Sequence, residues 1–220
     1  SLNFSLSKLI LEGPKSDLDL TLNTQPAIFL ISYSIFNVIK KEFNIDLNKA
    51  NFFAGHSLGE YSALSCAGYI KFSDTIKILK VRGEAMQNAV PKGIGGMVAI
   101  LGTSIKNIEN MLEDNKDDFN IQIANDNSDS QIVVSGKLSD LDKFVEILKA
   151  QGIKNIKLPV SAPFHSELMG NATKIMRDEI NKIDFINGYN VLMSNVTADK
   201  MKETSEMKDL LIKQIESRVR

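Results

Sequence analysis

Three short segments of the chain hold the residue types that covalent catalysis needs. Gly55-His56-Ser57-Leu58-Gly59 has the form G-x-S-x-G, in which a serine stands on a tight turn between a strand and a helix, with its hydroxyl exposed at the helix N-terminus. The glycines are expected to be required because such a turn leaves no room for side chains on either flank. The backbone N–H of Leu58 is placed to donate to an oxyanion, where the helix dipole also favours negative charge. A serine hydroxyl becomes an effective nucleophile when a base takes its proton, and the usual base is histidine. His56 and His165 are the two histidines. His56 adjoins the serine on the turn, so its side chain should point away from the hydroxyl; His165, in Ser161-Ala-Pro-Phe-His-Ser166, is the expected base.

A full triad would add a carboxylate to orient the imidazole. Glu167 is among the nearest candidates, but nothing in the sequence selects it, and the third member stays open. Arg82, in Lys80-Val-Arg-Gly-Glu-Ala-Met86, falls mid-helix among apolar neighbours. Its guanidinium either covers a solvated face or enters a cleft and pairs bidentately with a substrate carboxylate.

The elements that must position these groups follow from periodicity and punctuation. Thr24 and Pro26 read as a helix start, and Ile28, Ile31, Ile35, Val38 and Ile39 recur at helical spacing as an apolar face running to about Phe43. Residues 51–55 read as a short buried strand, 60–67 as the helix behind it, and Ser73 as the cap of the helix carrying Ile76, Leu79, Val81 and Met86. After the glycine-rich turn at Gly93, Gly95 and Gly96 the elements shorten: strand 97–101, helix 105–112, strands 120–124 and 131–135 around a turn at 125–130, helix 138–149, and strand 153–158. This β-α-β-β-α-β order is the ferredoxin-like arrangement. It places a small inserted subdomain at 95–160, with residues 1–94 and 161–220 forming a larger one. A helix over 166–183, a strand at 191–194 and a terminal helix follow; strand-helix alternation outside the insert predicts an α/β fold with a parallel sheet. Both ends look cut: Ser1 opens inside an apolar-periodic stretch, and residues 207–219 stop within a helical pattern without a cap.

Composition narrows the class. A chain of 220 residues with 43% hydrophobic composition can bury a sizeable core. The net charge of -1, with no long Lys/Arg block, argues against nucleic acid as a partner. The apolar run 27–31 is far short of a membrane span and residues 1–11 lack the order of a secretory signal, so a cytoplasmic enzyme is expected, or an organellar one in a eukaryote. The single Cys66 excludes an internal disulfide and a cysteine-based metal cage, and reads as a small buried hydrophobe.

Three segments, Gly55-His-Ser-Leu-Gly-Glu-Tyr-Ser-Ala-Leu64, Arg82-Gly-Glu-Ala-Met-Gln87 and Val160-Ser-Ala-Pro-Phe-His-Ser166, resemble in order and spacing the malonyl-CoA:acyl carrier protein transacylases of bacterial-type fatty acid synthesis. The likeness also takes in Asn23-Thr-Gln-Pro-Ala27 and Ala124-Asn-Asp-Asn127. It implies an α/β-hydrolase-like large subdomain with a ferredoxin-like insert and a Ser/His pair in the cleft between them. Carried over, Ser57 is acylated, His165 is the base, Leu58 supplies an oxyanion N–H, and Arg82 grips the malonyl carboxylate. His56, Met86, Asn127 and Phe164 join as substrate-binding residues, Phe164 matching the malonyl-selective form of its loop. In the family, backbone carbonyls orient the histidine in place of a carboxylate.

The partners implied are malonyl-CoA and acyl carrier protein, with no metal or redox cofactor, no membrane and a monomeric enzyme. Two departures accompany the resemblance: the family's N-terminal strand and glutamine-bearing motif, which supplies a second oxyanion donor, is absent here, and the family's histidine-orienting residues are expected beyond Arg220. The chain alone is therefore expected to be weakly active or inactive. Two other readings fit the serine turn: a serine esterase or thioesterase, and a non-catalytic module that binds acyl carrier protein.

Overall fold

A computed structural model describes residues 2, 4–160, 162–188, 190–201 and 203–220; Ser1 and Ser161, both named above, lie outside the described residues. In chain order the elements are helices α1 (Leu6–Glu12), α2 (Lys15–Leu18) and α3 (Thr21–Glu42), strand β1 (Phe52–Phe53), helices α4 (Leu58–Cys66) and α5 (Phe72–Gln87), strand β2 (Gly95–Leu101), helix α6 (Ile105–Asp114), strands β3 (Ile121–Ser128) and β4 (Gln131–Lys137), helix α7 (Leu138–Ala150), strand β5 (Lys154–Lys157), helix α8 (Gly170–Asn181), strands β6 (Val191–Met193) and β7 (Lys200–Met201), and helix α9 (Thr204–Gln214). Contacts divide the chain into two units, one of residues 1–87 and 174–212, the other of 88–173 and 213–220.

In the first unit, β1 pairs parallel with β6, and β6 antiparallel with β7. Helix α3 packs along α5. Phe29 stacks on Phe72 at 5.3 Å between ring centroids, and Gly83 of α5 meets the first turn of α3 so closely that a Cβ there would lie 2.5 Å from the Thr21 carbonyl oxygen. Two expectations for α3 are corrected. The helix begins at Thr21, before Thr24, because the Thr24 hydroxyl does not cap: it donates back to the carbonyls of Leu18 (2.6 Å) and Leu20 (3.1 Å), leaving Pro26 inside the helix. The buried face is also not the predicted stripe. Asn23, Gln25, Pro26, Ala27 and Phe29 are buried, whereas Ile28, Ile31, Ile35 and Val38 are exposed, since Gly83 and Phe72 fix which side of α3 the neighbouring helix covers.

The second unit has a four-stranded antiparallel sheet in the order β3-β4-β2-β5, with α6 and α7 joining strands as a ferredoxin-like arrangement requires. Alternation along the strands sorts its two faces. Val98, Ile100, Ile132 and Val134 pack with Ile108, Met111, Leu141, Phe144 and Leu148 from the helices, while Met97, Ala99 and Val133 pack with Ala124, Leu158 and Phe164. Strand β3 runs to Ser128, through most of the expected turn, and carries register shifts between Ile123 and Asn125 and between Asp126 and Ser128. Near these bulges Val219 bonds to it on both sides, accepting from Asp126 N–H and donating to the Ala124 carbonyl, each at 2.8 Å. The helix expected from Ser166 opens as a 3-10 turn over Glu167–Met169 before α8.

Candidate active site

Ser57 sits between β1 and α4 with φ 54° and ψ -107°, a left-handed conformation for a residue with a side chain. What holds it there is short-range packing below the turn and a long-range clamp beside it. A Cβ on Gly55 would lie 1.9 Å from the Gly59 carbonyl oxygen and 2.7 Å from the Glu60 nitrogen, backbone atoms that cannot move aside, so this glycine is obligatory. Gly59 is not: a Cβ there would meet open space, which corrects the expectation of crowding on both flanks.

The clamp is Asn195, shortly after β6. Because β1 and β6 are parallel neighbours, with Phe53 opposite Leu192, the segments that follow them leave from the same end of the sheet, where α/β proteins place their sites. The Asn195 amide uses both ends on the turn: Oδ1 accepts from the Ser57 N–H at 2.7 Å and Nδ2 donates to the Gly55 carbonyl at 2.8 Å. Its own N–H donates to Oε1 of the fully buried Glu60 at 3.3 Å. The Ser57 N–H is thereby engaged, whereas the Leu58 N–H belongs to the first turn of α4, whose donors have no partner within the helix.

Arg82, 1% exposed, comes from the middle of α5. Its Nη2 donates to Ser57 Oγ at 3.0 Å and its Nη1 to Gln25 Oε1 at 2.7 Å, and the guanidinium carbon lies 5.4 Å from the centroid of the Tyr61 ring. Burial pulls the guanidinium below its usual range, against the opposing pull of Tyr61 and Glu60. The same burial pushes the Tyr61 hydroxyl up to about 12, the charge of Arg82 acting the other way. Of the two readings left open by the sequence, the solvated face is excluded: this is a buried cation whose hydrogen-bonding edge reaches a serine hydroxyl. Met86, one turn on, is buried, with its Sδ 3.9 Å from the Gln25 amide nitrogen. His56 is exposed, and its carbonyl accepts from Gly59 N–H at 2.8 Å.

His165 belongs to the second unit. It is 4% exposed and has a positive φ of 57°, flanked by Ser166, whose hydroxyl donates to the Pro163 carbonyl at 2.7 Å. Its Nδ1 lies 2.8 Å from the backbone oxygen of Gln214, the last residue of α9. A helix leaves its final carbonyls without internal partners, and a carbonyl can only accept, so Nδ1 carries a hydrogen, and in the neutral ring the lone pair is on Nε2. A histidine-orienting acceptor therefore lies within the chain, which corrects the expectation that such residues come after Arg220. Glu167 has no comparable role: its N–H donates to Gln122 Oε1 at 2.6 Å and its side chain is exposed. Phe164 packs on the sheet face formed by Met97, Ala99 and Val133. Asn127 is exposed on the β3–β4 hairpin and donates to Gln131 Oε1 at 3.4 Å.

The model of the acyl transferase domain family matches residues 1–216. The chain belongs to the acyl transferase domain family. Among the curated members of this family, the malonyl CoA-acyl carrier protein transacylase of Bacillus subtilis strain 168 is 40% identical over 222 residues, covering 100% of this chain and 69% of the relative. The enzyme of the same name from Haemophilus influenzae is 35% identical, with coverages of 100% and 70%. Among solved structures of acyl transferases, the acyl-carrier-protein S-malonyltransferase of Bartonella henselae superposes with a TM-score of 0.93 at 39% identity, covering 98% of this chain and 69% of that one. A malonyl-transacylase solved in complex with its type II polyketide acyl carrier protein gives 0.92 at 32% identity, with coverages of 99% and 70%. The acyl transferase fold is thus an α/β fold of two parts, as expected. Among the described residues no group of three or more His, Cys, Asp and Glu could hold a metal ion, and no helix is long and apolar enough to cross a membrane.

Sequence reasoning missed Asn195, Gln25 and Gln214. A polar residue just beyond the strand expected at 191–194 was a usable signal for Asn195. Gln25 stood in one of the segments carrying the resemblance, but without a role. Gln214 acts through its backbone, which its residue type does not reveal.

Proposed function

We propose that the chain is a malonyltransferase that moves a malonyl group from CoA to the phosphopantetheine thiol of acyl carrier protein through a malonyl ester on Ser57. The observation that carries this reading is the buried Arg82 guanidinium with Nη2 3.0 Å from Ser57 Oγ: a cation beside the acylated oxygen suits an acyl group that ends in a carboxylate. The first half-reaction transfers the Ser57 proton to Nε2 of His165 as Oγ attacks the thioester carbonyl. The Leu58 N–H donates to the oxyanion. Collapse breaks the C–S bond, and the CoA thiolate takes the proton from the imidazolium. The second half-reaction reverses these steps with the carrier thiol as nucleophile, in ping-pong order. The Gln214 carbonyl holds the hydrogen of the neutral ring on Nδ1, so that Nε2 is the basic nitrogen, and it lies at the negative end of the α9 dipole, facing the ring that becomes cationic.

His56, Met86, Asn127 and Phe164 are proposed to contact substrate. Residues 95–160 are assigned to the small subdomain and 1–94 with 161–220 to the large one. The chemistry calls for no metal or redox cofactor, and the enzyme is placed in the cytoplasm as a monomer. Intact-mass analysis of the full-length protein with malonyl-CoA tests the reading. A malonyl adduct should form, disappear in Ser57→Ala, and pass to acyl carrier protein when that is added. Rapid hydrolysis without transfer would point to a thioesterase, and no adduct at all to a binding module.

A further inference from the structure

We propose that Gln25 aims the Arg82 guanidinium and thereby sets how strongly the site prefers an acyl group bearing a carboxylate. The inference rests on Arg82 as the partner of that carboxylate and adds a residue that never touches the substrate.

An arginine side chain is long, and its planar head can only donate. Its usefulness as a clamp depends on where that plane points. Among the bonds that orient it are Nη1 to Gln25 Oε1 at 2.7 Å and Nη2 to Ser57 Oγ at 3.0 Å. The second bond is to the atom that becomes acylated, so it changes during the reaction. The bond to Gln25 can persist throughout, because Gln25 takes no part in the chemistry. Gln25 is itself held, 4% exposed on the first turns of α3, with Nε2 donating to Thr21 Oγ1 at 3.2 Å and lying 3.9 Å from Met86 Sδ. Since the guanidinium offers donors only, the amide oxygen must face it, and the amide nitrogen must face Thr21 and Met86. Gln25 is neutral, so it orients the cation without neutralising it. A carboxylate at this position would form an ion pair with the guanidinium and compete with the substrate for it.

The test compares kcat/KM for malonyl-CoA and acetyl-CoA in the full-length protein, for wild type, Gln25→Leu, Gln25→Glu and Arg82→Ala. The ratio of the two values is the readout, because loss of folded enzyme lowers both alike and cancels. Gln25→Leu should lower the malonyl-to-acetyl ratio by about tenfold or more, as losing a charge-assisted hydrogen bond implies, and Gln25→Glu should lower it because the new ion pair competes with the malonyl carboxylate. In Gln25→Glu the change should lie mainly in a raised KM for malonyl-CoA. If Gln25→Leu fails to fold, the near-isosteric Gln25→Glu carries the test alone. A ratio unchanged in the Gln25 variants but collapsed in Arg82→Ala overturns the role of Gln25 and leaves that of Arg82 standing. A ratio unchanged in Arg82→Ala overturns the reading of Arg82, and this inference with it.

Discussion

Asn195 Oδ1 accepts the backbone N–H of Ser57 at 2.7 Å across 138 positions of sequence. One amide thus ties the end of β6 to a serine held at positive φ. Replacing Asn195 with Ala leaves the Ser57 N–H and the Gly55 carbonyl without this partner, at a cost of about 1–3 kcal/mol each. It also lets the hydroxyl drift, and misplacement of a reacting atom by an ångström costs on the order of 10²-fold. Asn195→Ala should therefore lower the melting temperature and, well below that temperature, slow acylation of Ser57 by malonyl-CoA. Asn195→Asp should not rescue, because a carboxylate would turn an acceptor toward the Gly55 carbonyl. A normal acylation rate in folded Asn195→Ala would refute the clamp.

The two glycines of the serine turn should respond in opposite ways. At Gly55 a methyl group would collide with main-chain atoms of Gly59 and Glu60, so Gly55→Ala should fold poorly or rebuild the turn. Gly59→Ala meets nothing and lies inside α4, where exchanging glycine for alanine gains about 0.5–1 kcal/mol. Thermal unfolding of the two variants should move in opposite directions.

His165 is oriented by a main-chain oxygen, so no carboxylate should be needed. Glu167→Gln should leave the rate of Ser57 acylation within about twofold of wild type, as expected of an exposed surface substitution. His165→Ala should reduce it by at least about 10²-fold, the scale of losing a general base. Single-turnover mass analysis reads both. A large loss in Glu167→Gln would restore the carboxylate as a triad member.

Burial should make the folded state sensitive to alkali. Desolvation pushes the Cys66 thiol from 9.0 up to about 11 and the Tyr61 hydroxyl up to about 12. Both groups hold their protons more tightly folded than unfolded. Their contribution is complete below pH 9 and is lost as the pH rises toward 11 and 12, because the unfolded chain ionises first. Urea midpoints should therefore fall between pH 9 and pH 11. Iodoacetamide at pH 8 should label Cys66 far more slowly in native than in denatured protein.

Much of this molecule was legible because its strongest signals are local. The β-α-β-β-α-β stretch came from alternation and helical periodicity, and its strands and helices lie where those patterns placed them except β3, which runs on to Ser128 through the expected turn. The serine turn came from its spacing together with the strand expected before it and the helix expected after it. Helix α3 misled because its isoleucine stripe is periodic whether or not a neighbour covers it. The choice of face was made by Gly83 and Phe72, which lie far along the chain. Thr24 misled because its hydroxyl donates to carbonyls behind it when it could have accepted from N–H groups ahead. Asn195 and Gln25 depend on contacts between distant segments, and the Gln214 carbonyl carries no signature in residue type.

Gly83 illustrates how far such a contact reaches. Only hydrogen fits between its Cα and the backbone of Thr21 and Leu22, and the residue before it is Arg82. A single added methyl would wedge the two helices apart and withdraw the guanidinium from the glutamine that faces it. On the role proposed for Arg82, the choice between charged and uncharged acyl groups is thus exposed to mutation at a position with no functional group, through a gap too narrow for one carbon atom.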